Sequence, residues 1–105
     1  MDERITPYTG ILVIVIEISW SRSLKDRRQV VRSVLEKINH RWNVSSIDLG
    51  PMNSRSRAHL GFAALGTSSE MVRARLDSIV GYVQNLENAS DFSMIDKWVE
   101  VDKYD

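Results

Sequence analysis

The residues whose types and spacing point to chemistry are cations. Lys25, Arg28 and Arg32 follow one another at three- and four-residue intervals, which on a helix sets them side by side along one flank. Arg55 and Arg57 bracket a serine in a segment rich in Gly, Pro, Asn and Ser. Groups gathered in this way attract phosphate, arginine through a planar fork of donors and lysine as a point charge. If the flank starts at a helix N-terminus, the unpaired backbone N–H groups there add to the attraction. The plainer reading is a solvated face whose long side chains lie over the edge of the core. Arg27 differs from its neighbours. It points into an apolar stripe, where a guanidinium needs an acidic partner, and Glu17 on the preceding strand is the nearest candidate.

Nothing comparable speaks for catalysis. His40 and His59 fall on different elements, and neither has acids at metal-ligand spacing. Gly61 and Gly66 are isolated, so no glycine loop cradles a phosphate. A Ser, His and acid can be picked from any chain of this size, and their presence carries no weight. The chain has no cysteine, which removes disulfides, thiolate metal sites and thiol nucleophiles together. The expectation is a protein that is not an enzyme, with no metal, no cofactor and no evident small-molecule substrate.

The formal net charge is zero, yet the charge is unevenly spread. Residues 22–75 carry eleven Lys and Arg against four acids, and residues 76–105 carry seven acids against two lysines. A basic front half draws anionic partners such as nucleic acid. The competing expectation is that the two halves neutralise each other across the fold.

These side chains need elements to hold them. A chain of 105 residues, 43% of them hydrophobic, fits one globular domain over 1–105. Its longest apolar run, Ile11 to Ile16, is far short of the roughly 20 residues of a membrane helix, so no membrane partner is expected. With no signal peptide in view, a cytoplasmic location is the default expectation. Ile11 to Ile18 is β-branched and follows Gly10, which predicts a central strand after a short extension over residues 1–8. Ser23-Leu-Lys-Asp26 has capping-box spacing, and Leu24, Val31, Val34, Leu35 and Ile38 continue it as an apolar stripe, predicting a helix over about 24–40. Strands are expected over 42–49 and 58–65, separated by Gly50-Pro51 and a polar turn. Thr67-Ser-Ser-Glu70 is a second capping box, opening a helix whose face runs from Val72 to Leu86 and which Asn88-Ala-Ser90 ends. Residues 92–101 complete the set as a last strand. The order βαββαβ with right-handed crossovers predicts an α+β, ferredoxin-like sandwich. Both helices then lie on one face of a four-stranded antiparallel sheet, in the order 4-1-3-2.

That architecture leaves one sheet face bare, and the first strand is apolar on both sides. If Leu12, Ile14, Ile16 and Ile18 face the helices, then Ile11, Val13 and Val15 face away. With Phe62 on the third strand they form a candidate interface, for a homodimer or another protein partner. The competing expectation is that the first eight residues, or the C-terminal segment with Trp98 and Tyr104, cover the face. The RNA recognition motif shares this plan but stacks bases on two or three exposed aromatics of its central strands. One Phe, with Ala64 at the second position, is no such platform, and base reading by the sheet is not expected.

Ser23-Leu-Lys-Asp-Arg-Arg28 with Val30-Val31, then Trp42-Asn-Val-Ser45, then Arg57-Ala-His-Leu-Gly61, resemble in order and spacing the YlxP-like family of small bacterial proteins. The resemblance covers about residues 10–86. It implies a ferredoxin-like fold and a domain of unknown function. Family members are often encoded beside translation initiation and ribosome maturation factors, which implies RNA or the ribosome as a partner. Arg55-Ser56 stand where the family pattern has Trp-Gln, so no role of that Trp carries over.

Overall fold

The structure, a computed structural model, describes residues 3–89 and 92–105. Strand β1 (Tyr8–Glu17) leads to helix α1 (Leu24–Arg41). Strands β2 (Ser45–Gly50) and β3 (Arg57–Gly66) follow, then helix α2 (Ser69–Ala89) and strand β4 (Ser93–Lys103). The sheet order is β2-β3-β1-β4 with every pairing antiparallel, which is the expected ferredoxin-like arrangement. Leu12, Ile14, Ile16, Leu60 and Phe62 of the central strands bury against Val31, Val34 and Ile38 of α1 and Val72, Leu76, Ile79 and Val83 of α2. Each such side chain contributes about 1.5–3 kcal/mol by leaving water. Both helices therefore cover one face.

Several boundaries differ from the expected ones for local reasons. β1 begins at Tyr8, because Tyr8 pairs with both Gly66 and Lys103 and packs at the core edge. The extension is correspondingly shorter, and Pro7 accepts the Tyr104 N–H at 2.9 Å. Trp42 is not in a strand. It caps α1, donating its N–H to Ile38 at 2.9 Å while its ring meets Tyr82 edge-on at 5.3 Å. The α2 cap is Ser68 rather than Thr67, its hydroxyl accepting the Met71 N–H at 3.2 Å. α2 runs to Ala89, and Ser90 of the expected terminator lies outside the described residues. β4 extends two residues beyond Val101, and its register shifts opposite Val15 and Ile16.

Gly10 sets how closely α2 approaches the sheet. A Cβ there would lie 2.5 Å from Val72 Cγ1 and 2.7 Å from Leu76 Cδ1. The helix rests on bare backbone at that point. Gly50, at φ +100°, ends β2 in a conformation that L side chains rarely adopt.

Candidate functional site

Arg27 and Asp48 organise one end of the molecule, where β1 passes into α1 and β2 into β3. Arg27 is only 4% exposed, and its two terminal nitrogens donate to the two Asp48 oxygens at 2.8 and 2.9 Å. Its Nε donates to the Arg57 carbonyl at 2.8 Å, and Asp48 also accepts the Gly50 N–H at 2.9 Å. Burial raises the Asp48 carboxyl, but the hydrogen bonds from Arg27 and Gly50 and the Arg27 charge outweigh it, holding it below its ordinary value. Glu17 is not the partner of Arg27. Sheet alternation puts Glu17 on the open face, where it meets Arg57 at 3.5 Å, whereas Asp48 opposes Leu60 on the helix face.

This locked corner carries the candidate cations. Lys25, Arg28 and Arg32 are exposed on α1, on the side where Asn39 accepts a hydrogen bond from Ser46 of β2. Arg55 reaches back to α1, its guanidinium 3.5 Å from the Arg22 carbonyl. Arg57 does not join them: its carbonyl holds Arg27, but its side chain projects from the opposite face of the sheet to Glu17. Among the described residues, Lys25, Arg28, Arg32 and Arg55 have no ion-pair partner. Neither of the two ion pairs joins the basic residues 22–75 to the acidic residues 76–105, so the halves do not neutralise each other through direct pairs among the described residues. The N-terminus of α1 is capped in part. Ser23 accepts the Asp26 N–H at 3.0 Å, and the Asp26 carboxylate, which accepts the Arg22 N–H at 3.1 Å, adds negative charge there, so anion contact falls chiefly to side chains. Arg22 and the half-exposed Trp20, both in the connection before the helix, went unnoticed in the sequence. A signal was present: cations beside a helix N-terminus oppose the macrodipole, and that placement asks for a reason other than stability.

The open sheet face is built differently from the expectation. Phe62 is 1% exposed and belongs to the helix-facing core, because it pairs with Leu12. Val13 and Val15 do face away from the helices, yet they are only 6% and 4% exposed. His59 on β3 and Trp98 on β4 flank β1, with ring centroids 6.3 Å apart, so their rings lean over these valines. Cover by the same chain is thus partial and comes from within β3 and β4. The large apolar side chains of this face that remain wet include Ile11, Leu65, Trp98, and Ile47 and Leu49 of β2. Gly61 opens a depression of about 190 Å³ among Ile11, Val13, Ile47 and Leu49. The β2 residues were missed because its pattern is inverted: polar Ser46 and Asp48 face the helix layer while the aliphatics face out.

A family model described as protein of unknown function (DUF503) matches residues 9–96. The chain is 25% identical over 63 residues to an uncharacterized protein, YlxP, of Bacillus subtilis (strain 168), covering 60% of this chain and 68% of that relative. No described helix is long and apolar enough to cross a membrane. With the match spanning most of the βαββαβ unit, from β1 into β4, the chain belongs to the DUF503 family.

Proposed function

We propose that this protein is an accessory factor that contacts RNA, on its own or within the ribosome, by holding phosphates along Lys25, Arg28, Arg32 and Arg55. One observation carries the reading: these four exposed cations border a single corner and none has an ion-pair partner among the described residues. The Arg27–Asp48 pair stiffens the corner from beneath, so the cations project from an ordered base. Arg22 extends the row, and Trp20 beside it offers a ring on which a base can stack. Among phosphate-bearing partners we favour RNA, in keeping with the translation factors beside which genes of the resembled family are often encoded. Binding of this kind is sensitive to salt and poor in sequence discrimination. Sedimentation of a host lysate through a gradient tests it. The protein is expected in the ribosomal fractions at low salt and at the top of the gradient at moderate salt. Absence from those fractions at low salt, with no RNA retained on purified protein, contradicts the proposal.

A second reading is an interaction module working through the open sheet face, a homodimer being one form of it. It is favoured by the inverted pattern of β2, where Ile47 and Leu49 are 58% and 54% exposed. Aliphatics on the wet side of a strand whose polar residues face the protein suit a partner better than water.

A further inference from the structure

The charges on the open face narrow what can cover it. Thr9, Ile11, Val13, Val15 and Glu17 of β1 project from it, with Arg57, His59, Gly61, Ala63 and Leu65 of β3 beside them. β4 adds Asp96, Trp98, Glu100 and Asp102, which lie opposite Val15, Val13, Ile11 and Thr9. Glu17 and Arg57 pair with each other. Asp96, Glu100 and Asp102 are exposed and have no ion-pair partner among the described residues. The face therefore has an apolar half, from Ile47 and Leu49 across the Gly61 depression, and an acidic column that brackets an exposed Trp98.

A second copy meets this face badly. Stacked sheet to sheet about a two-fold axis along the strands, each acidic column falls on Ile47 and Leu49 of the other molecule. About an axis across the strands, it falls on the other acidic column. Neither arrangement brings a cation to the three carboxylates, and burying charge without a partner is costly. A basic partner has no such conflict. Trp98 is two strands from Gly61, about 10 Å, which is about the width of a helix with its side chains.

Building on the second reading, we infer that the open face docks an amphipathic helix of a basic partner protein. Its apolar stripe would enter the Gly61 depression, and one cationic flank would lie along Asp96, Glu100 and Asp102 with a Lys or Arg over the Trp98 ring. Cation–π contact and carboxylate pairing then act on the same flank.

The test uses the whole chain and two synthetic helices of about five turns, both with a leucine stripe, one flanked by lysines and the other by glutamates. The lysine helix is expected to bind, moving the amide resonances of Ile11, Val13, Gly61 and Trp98 and leaving those of α1 unmoved. Glu100→Lys with Asp102→Lys, and separately Ile47→Ser, are expected to weaken it about tenfold each with thermal melting unchanged. Three results overturn the proposal: equal binding of both helices, shifts confined to other surfaces, or full affinity in the charge-reversed variant. A wild-type dimer in sedimentation that protects these same amides also overturns it. That last result would leave the open face an interface but make a second copy its occupant, whereas an unperturbed face with a monomeric protein would remove the second reading as well.

Discussion

Arg27 occupies a position where a residue of its size and charge survives only with a complete set of acceptors. Asp48 supplies two and the Arg57 carbonyl a third, so a guanidinium that is 4% exposed is well satisfied. Removing one partner strands the other. Asp48→Ala is expected to cost about 3 kcal/mol, lowering Tm by roughly 15 °C, because the buried arginine charge loses its counterion. Replacing both, as Arg27→Met with Asp48→Leu, is expected to cost less than Asp48→Ala alone; thermal denaturation of the three proteins checks the non-additivity. The pair also sets an acid limit. The folded Asp48 carboxyl lies below its unfolded value of about 3.9, so its contribution is fully present above that pH and is lost as the pH falls through the folded value. Chemical denaturation between about pH 5 and 2 is expected to show stability falling more steeply in the wild type than in Asp48→Asn. Arg27 was legible in the sequence as a buried cation. Its partner was not, because Glu17, the acid that the preceding strand offers, lies on the wrong side of β1.

At the scale of elements, the capping boxes and apolar periodicities were enough to give both helices and all four strands. Strand ends were less legible where tertiary contacts decide them: Tyr8 becomes strand by pairing on both sides, and Trp42 leaves the strand to pack on Tyr82. β2 misleads for a physical reason. Alternation identifies a strand's two faces but not which faces the core, and in Ser46-Ile-Asp-Leu49 the inner face is held by Asp48 and Ser46 hydrogen bonding to α1. Helix placement depends on one small residue. Gly10→Ala is expected to destabilise by about 1–3 kcal/mol, since stiff, buried Val72 stands within 2.5 Å of the added carbon and α2 must move to admit it. Urea denaturation reads that loss directly. A change within error of zero would mean that α2 does not lie against β1 at Gly10.

Across the whole molecule, the uneven charge of the sequence becomes a polarity of the fold. Cations of the front half gather on α1 and on the loop before β3, on the helix side. Of the carboxylates of the back half, Asp96, Glu100 and Asp102 line up on β4 and face the other way, while Asp77 and Glu87 sit on α2. The division was readable as a count of charges along the chain, and its geometry was not, since only the strand register assigns Asp96, Glu100 and Asp102 to the open face. Arg57 belonged by sequence to the cation group and by alternation joins the acids instead. The central claim is that the helix-side cations hold phosphate. Its most direct test is the salt dependence of binding to single-stranded RNA of mixed sequence. Four phosphate contacts give a slope of log K against log salt near −3 for the wild type, by about −0.7 for each contact. Changing Lys25, Arg28, Arg32 and Arg55 together to Gln is expected to flatten that slope toward zero or abolish binding, with melting unchanged because exposed charges contribute little to stability. A wild type that binds no RNA at low salt, or a variant that keeps the wild-type slope, contradicts the account.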